Sequence, residues 1–182
     1  IIFILFFISI FINNNLPKLN MIINKNIVNF SEKFEYNLNY FQVEGLKKLL
    51  DDDIIFKINK YKKTSIFLLP LKKISLSLKE ISWIKNVKLS TNYKDTLYVN
   101  IEEYVPVGIY FFNGKNYYFD SSGKIIDEVS NKEMINQKMI FFYGQSSKKH
   151  ANNLLEDIKF ATPSFNININ HAIFISQRRW NL

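Results

Sequence analysis

Three textures of apolar and polar positions follow one another along this chain. The first is a run without any alternation, IIFILFFISIFI at residues 1–12, which stops abruptly at NNNLPK. A membrane-spanning helix needs about 20 apolar residues, so the run reads as part of such a helix whose beginning lies before Ile1. A signal-peptide core is the competing reading. No small-residue cleavage site follows in Asn13, Asn14, Asn15, Leu16 and Pro17, which favours a retained anchor. Residues 13–34, rich in Asn and Lys and broken by short apolar clusters, read as a juxtamembrane connector.

The second texture begins at Glu35. In EYNLNYFQVEG, Tyr36, Leu38 and Tyr40 alternate with polar residues and Gly45 closes the run, which predicts a strand. Asp51, Asp52 and Asp53 then precede IIFKINKY and predict a helix start, because carboxylates complement first-turn amides and the helix dipole. In LKKISLSLKEI, Leu71, Ile74, Leu78 and Ile81 recur every three or four residues and share one helical face. Beyond Trp83, Val87, Leu89, Thr91 and Tyr93 alternate with polar residues. A turn at Lys94-Asp95 follows, and then Leu97, Val99 and Ile101 alternate in their turn, giving a hairpin with one buried face. The order strand, helix, helix, strand, strand is a compact α+β layer.

After Pro106 the third texture consists of strands. VGIYFF, NYYFD and IIDEV form a meander over residues 107–129, with Asn113-Gly114 and Ser122-Gly123 as its turns. Residues 154–160 read as the one further helix. A loop with Pro163 and several Asn leads to a last strand, HAIFISQRRWNL, whose pattern still runs at Leu182. Further strands of this sheet are therefore expected beyond the sequence.

Lys+Arg exceed Asp+Glu by 24 to 16, a formal charge of +8. That excess raises nucleic acid as a partner, but the lysines are scattered in ones and twos and form no patch. The chain has no cysteine, which excludes disulfides and thiolate chemistry. His150 and His171 are the two histidines; one lies in a polar loop beside Ser146, which lacks the glycines of a nucleophile elbow, and the other heads a strand. Three consecutive aspartates lack calcium-loop spacing, and the five glycines form no phosphate cradle. Glu102 and Glu103 point to opposite faces of one strand and do not make an acid pair. These readings assign no enzyme activity, cofactor or metal. Val105-Pro106 breaks the ladder, because proline has no amide to donate. Glu103, Pro106 and Val107 are thus expected at an interdomain junction, where Glu103 and Pro106 would set the angle between two domains.

Four segments together carry a resemblance: YFQVEG, IKNVKLSTNYKDTLYVNIEEYVPVGIY, YYFDSSGKIID and RRWNL. In this order they resemble the FtsQ/DivIB bacterial cell-division proteins over residues 36–182. The pattern is carried by Trp83, Val87, Thr96, Leu97, Val99, Ile101, Glu103, Pro106 and Val107, with Phe119-Asp120, Gly123-Lys124 and Arg178-Arg179-Trp180 following. Three positions depart from it: Tyr104 stands where the family commonly has arginine, Gly108 where alanine is frequent, and Asn181 where aspartate is usual.

The resemblance implies an α+β architecture in four parts. A partial transmembrane helix (1–12) and connector (13–34) would precede a β-α-α-β-β POTRA domain (35–104). A mostly antiparallel β domain (105–182), truncated at its C-terminal end, would follow. It implies a non-enzymatic divisome scaffold in the bacterial inner membrane, single-pass, with the bulk of the chain periplasmic at the septum. Its implied partners are FtsB and FtsL, through which septal peptidoglycan synthesis is recruited and regulated, and other division proteins through the POTRA domain. Strand addition to the β domain is the implied binding mode, with Arg178 and Arg179 as contacts for an acidic partner segment. Another POTRA-bearing envelope assembly or export protein, or a basic nucleic-acid binder, are the alternatives.

Overall fold

The computed structural model describes residues 2–130, 138–165 and 169–182. It divides into two compact units, Ile1–Ile81 with Asn86–Glu102, and Ser82–Lys85 with Glu103–Leu182.

In the first unit, helix α1 (Ile2–Phe34) takes in both the apolar run and the polar stretch expected as a connector. Among the described residues, no helix is long and apolar enough to cross a membrane. The end of α1 is fastened to the rest of the unit. The Ser31 and Ser65 hydroxyls lie 2.6 Å apart and buried, and the rings of Phe30, Phe34, Tyr36 and Phe67 cluster beside them.

Strand β1 (Tyr40–Glu44) is shorter than the alternation from Tyr36 predicts. Residues 36–38 instead bond to residues 63–66: Leu38 donates to the Thr64 carbonyl at 2.9 Å and Ile66 to that of Tyr36 at 2.9 Å. Leu38 keeps its expected burial without belonging to the strand. Gly45 ends β1 with φ +89°, and a Cβ there would lie 2.0 Å from the Ile101 carbonyl oxygen, so only glycine fits.

Helix α2 (Asp51–Ile58) starts at the acidic triplet, as expected. Asp53 reaches back to accept the Leu50 amide at 3.2 Å, satisfying a donor the helix itself leaves open. Helix α3 (Leu71–Leu78) buries Ile74 and Leu78, half-buries Leu71, and stops short of Ile81. Strands β2 (Ile84–Thr91) and β3 (Thr96–Glu103) complete a sheet of order β1-β3-β2, in which β1 runs parallel to β3 from Tyr40↔Thr96 to Glu44↔Asn100. A parallel pair needs a crossover connection, and α2 and α3 supply it. Leu38, Ile54, Ile58, Ile74, Leu78, Leu97 and Val99 are buried as the core. Each contributes roughly 1.5–3 kcal/mol relative to exposure.

The second unit is a six-stranded sheet of order β6-β5-β4-β7-β8-β9. The meander appears as expected: β4 (Gly108–Phe112), β5 (Lys115–Phe119) and β6 (Ile125–Glu128). Strand β7 (Phe141–Tyr143) was not anticipated. It pairs in parallel with β4 and with β8 (His171–Ile175), so the sheet is antiparallel at its ends and parallel in its middle. Helix α4 (Ser147–Phe165) makes the crossover between β7 and β8. It is longer at both ends than residues 154–160, so His150 is helical, and the helix runs through the Pro163 expected in a loop. The Asn-rich stretch at 166–168 lies outside the described residues. The single last strand expected from His171 onward is in fact β8, a turn at 176–178, and antiparallel β9 (Arg179–Asn181). Ser176 and Gln177 break it, with φ of 49° and 54°. Tyr110, Phe119, Phe142, Ala172, Ala151 and Leu154 form the core between the sheet and α4.

Candidate partner-binding site

Alternation along β3 places Leu97, Val99, Ile101 and Glu103 on the buried face, with Tyr98, Asn100 and Glu102 exposed. Glu103 is thus a carboxylate buried at the end of an apolar row, with only 8% of its surface exposed. The chain then leaves the ladder. The Tyr104 amide donates to the Trp83 carbonyl at 2.8 Å, Pro106 is half-buried, and the half-buried Val107 donates to the Phe119 carbonyl at 2.9 Å as β4 begins.

Two residues that sequence reasoning used only as pattern marks act at this point. The Trp83 indole nitrogen donates to Asp127 Oδ2 at 3.1 Å, and its ring meets Tyr118 edge-on at 5.2 Å. Tyr104 receives a hydrogen bond from the Lys124 ammonium, which also lies 4.3 Å from the centre of its ring. Lys124 belongs to a tight turn. Asp120 Oδ1 accepts from the Ser122 amide at 2.9 Å, the Ser122 hydroxyl at 2.6 Å and the Lys124 amide at 2.9 Å. These bonds hold the Asp120 carboxyl below its usual range: burial pushes its pKa up, and Ser122 and Lys124 together more than offset that.

Arg178 and Arg179 are brought together but not onto one strand. Arg178 closes the turn at 176–178, where its amide donates to the Ile175 carbonyl at 3.1 Å, and Arg179 opens β9 opposite Ile175. Both side chains are exposed. Strand β9 is an edge of the sheet, and its outer side pairs with no described strand. Val107 leads into β4, three strands from β9, about 14 Å at 4.8 Å per strand. The arginine pair thus stands apart from Val107. His171, at the head of β8, lies 3.3 Å through Nδ1 from the Tyr143 hydroxyl, and His150 on α4 packs against the Phe174 ring at 4.8 Å.

Comparison with known proteins gives the following. Residues 36–104 match the family model described as POTRA domain, FtsQ-type. The chain is 27% identical over 157 residues to the cell division protein FtsQ of Rickettsia typhi, covering 86% of this chain and 58% of that protein. It is 27% identical over 151 residues to the cell division protein FtsQ of Zymomonas mobilis, covering 81% and 46%. The cell division protein DivIB of Clostridium acetobutylicum is 30% identical over 93 residues, covering 50% and 37%. The chain thus spans at most about three-fifths of the length of these curated relatives.

Proposed function

We propose that the chain is a member of the FtsQ/DivIB family of cell division proteins and acts as a membrane-anchored, non-enzymatic scaffold of the divisome, because residues 36–104 match an FtsQ-type POTRA domain and most of the chain is similar to FtsQ proteins. In this reading it binds FtsB and FtsL and through them recruits and regulates septal peptidoglycan synthesis. The observation that carries the reading is the FtsQ-type POTRA match at residues 36–104. The six-stranded sheet that follows supports it, because among the described residues β9 is an edge strand that carries the exposed Arg179, with the exposed Arg178 in the turn before it. An edge strand offers a row of backbone donors and acceptors to an incoming strand. Backbone bonds supply affinity there and side chains supply choice, with Arg178 and Arg179 selecting an acidic segment. The apolar residues 1–12 would belong to the membrane anchor, with the two units on the periplasmic side of the inner membrane.

The test is a titration of the purified chain with peptides of FtsB, followed by amide hydrogen exchange. Binding with new protection of the β9 amides is expected. Arg178→Ala with Arg179→Ala should weaken binding about tenfold, more strongly at low salt than at high. Absence of binding at high micromolar peptide would remove the reading.

A further inference from the structure

Helix α1 is fastened to its unit only near its end, where Ser31 is buried against Ser65 and the Phe30 ring meets Tyr36 and Phe67. Before those turns its apolar side chains stand in the open. Leu19 is 53% exposed and Ile22 55%, and Leu16, Met21 and Ile23 are exposed as well. The local sequence does not favour a free helix there, since Pro17 cannot donate to the ladder and Asn20, Asn24, Asn26 and the β-branched Ile22 and Ile23 are weak helix formers. A helix of that composition is held by the packing of an apolar face, not by propensity.

The exposed residues follow a seam. Leu16, Ile23 and Phe30 stand seven apart, and Leu19 and Asn26 lie three residues after the first two, which is the a and d spacing of a coiled coil. Lys18, Lys25 and Glu32 also repeat every seven, and at about 3.6 residues per turn they fall on the far side of the helix. Ile22 and Ile27 take the flanking g and e positions, which in a parallel pair meet across the seam. Such positions often hold Glu and Lys that choose a charged partner, and here both are isoleucine. The next d position, Lys33, lies in the fastened turns, its ammonium 5.4 Å from the centre of the Phe34 ring.

From Leu16 to Phe30 the seam therefore contains only side chains that match themselves. The apolar ones pack on their equivalents, and the Asn26 amide carries donors and an acceptor and can bond to the same amide. A partner recognised by charge would find nothing on this seam to read. We infer that residues 16–30 of α1 pair with the same residues of a second copy of this chain, as a parallel, in-register, two-stranded coiled coil. The β-branched Ile23 at a with Leu19 at d is the combination that favours two strands. The pairing stands on α1 alone and is independent of the division reading.

The absence of cysteine makes the test direct. Leu19→Cys and Asn26→Cys each place a single thiol on the seam, and Lys25→Cys places one on the charged side as control. The full chain carrying each substitution is oxidised with copper phenanthroline in its native cell, and the disulfide-linked species are separated without reductant and identified by mass spectrometry. Circular dichroism of each reduced, purified variant verifies the fold. A disulfide needs its two Cβ atoms within about 4.5 Å, so dimers of the chain are expected from 19 and 26 and about tenfold less from 25. Same-position bonds at two sites seven residues apart form only when the helices are parallel and in register. Ile23→Lys, added to the Leu19→Cys chain, sets two like charges against each other and should lower the dimer about fivefold or more. No dimer, a dimer from only one of 19 and 26, equal yield from 25, or indifference to Ile23→Lys would each overturn the inference, and so would a disulfide to a different polypeptide in place of the dimer.

Discussion

The indole nitrogen of Trp83 donates to Asp127 Oδ2 at 3.1 Å, joining residues 44 positions apart in the chain. Trp83 precedes β2, a strand of the first unit's sheet, yet it packs with the second unit, edge-on to Tyr118. A hydrogen bond to a charged acceptor contributes about 1.5–3 kcal/mol when sheltered from water. This one is part-buried, so Trp83→Phe should destabilise the second unit by about 1–2 kcal/mol. Urea unfolding of Trp83→Phe, Asp127→Ala and the double variant should give a coupling near 1 kcal/mol. Strict additivity would sink the idea that this bond holds Trp83 in place.

The Phe142 ring leaves little room for a side chain at Gly108. A Cβ on Gly108 would meet Phe142 Cε2 at 2.5 Å and Cδ2 at 2.8 Å. The backbone there is ordinary, so crowding rather than strain is the obstacle. Gly108→Ala should therefore destabilise by about 1–3 kcal/mol, and a companion Phe142→Leu should recover part of that loss in thermal unfolding. If Gly108→Ala alone is neutral, the ring yields more readily than the packing of Phe142 against Phe119 and Trp180 suggests.

Asp120 links stability to pH. Its carboxyl is below the usual range in the folded state, because bonds from Ser122 and Lys124 outweigh the burial that pushes it up. A depressed folded pKa makes its contribution complete above the ordinary carboxylate value, about 4. The contribution is lost as pH falls through the lower folded value. The urea midpoint of the native chain should fall as the pH drops below about 4. Asp120→Asn keeps an acceptor without the titration and should show a smaller fall over that window. Equal slopes for the two proteins would show that other carboxyls govern acid sensitivity.

What the sequence disclosed follows from how each element is buried. The β2–β3 hairpin was legible because one face is buried and the other wet, so residues alternate with period two. Asp51–Asp53 and the Ile74–Leu78 spacing marked α2 and α3 for equally local reasons. Strand β7 was not legible. Its three residues, FFY, lie in the parallel middle of the sheet, where pairing leaves no alternation to read. The first turns of α4 were hidden by SKKHANN, a polar stretch helical only because Ala151 and Leu154 pack on the sheet. Arg178 and Arg179 were found as a pair, but left-handed Ser176 and Gln177 split their expected strand, and neither residue is a glycine that would have announced a turn. The turn after β2 shows the same blind spot. Asn92 organises it by accepting the amides of Lys94, Asp95 and Thr96, while the sequence had pointed to Lys94-Asp95 alone.

Ser31 and Ser65 give the sharpest test of how α1 is fastened. Their hydroxyls are 2.6 Å apart, and both residues are buried. Removing one partner strands the other hydroxyl away from water, which costs about 1–3 kcal/mol, whereas removing both is close to neutral. Ser31→Ala and Ser65→Ala should each destabilise the first unit by that order. The double variant should be no less stable than either single one. The effect should be local as well, so that amide exchange at Tyr36, which donates to the Ser31 carbonyl at 2.8 Å, accelerates in both single variants. If the two losses simply add, the hydroxyls do not depend on one another, and the attachment of α1 rests on the ring cluster of Phe30, Phe34, Tyr36 and Phe67 instead.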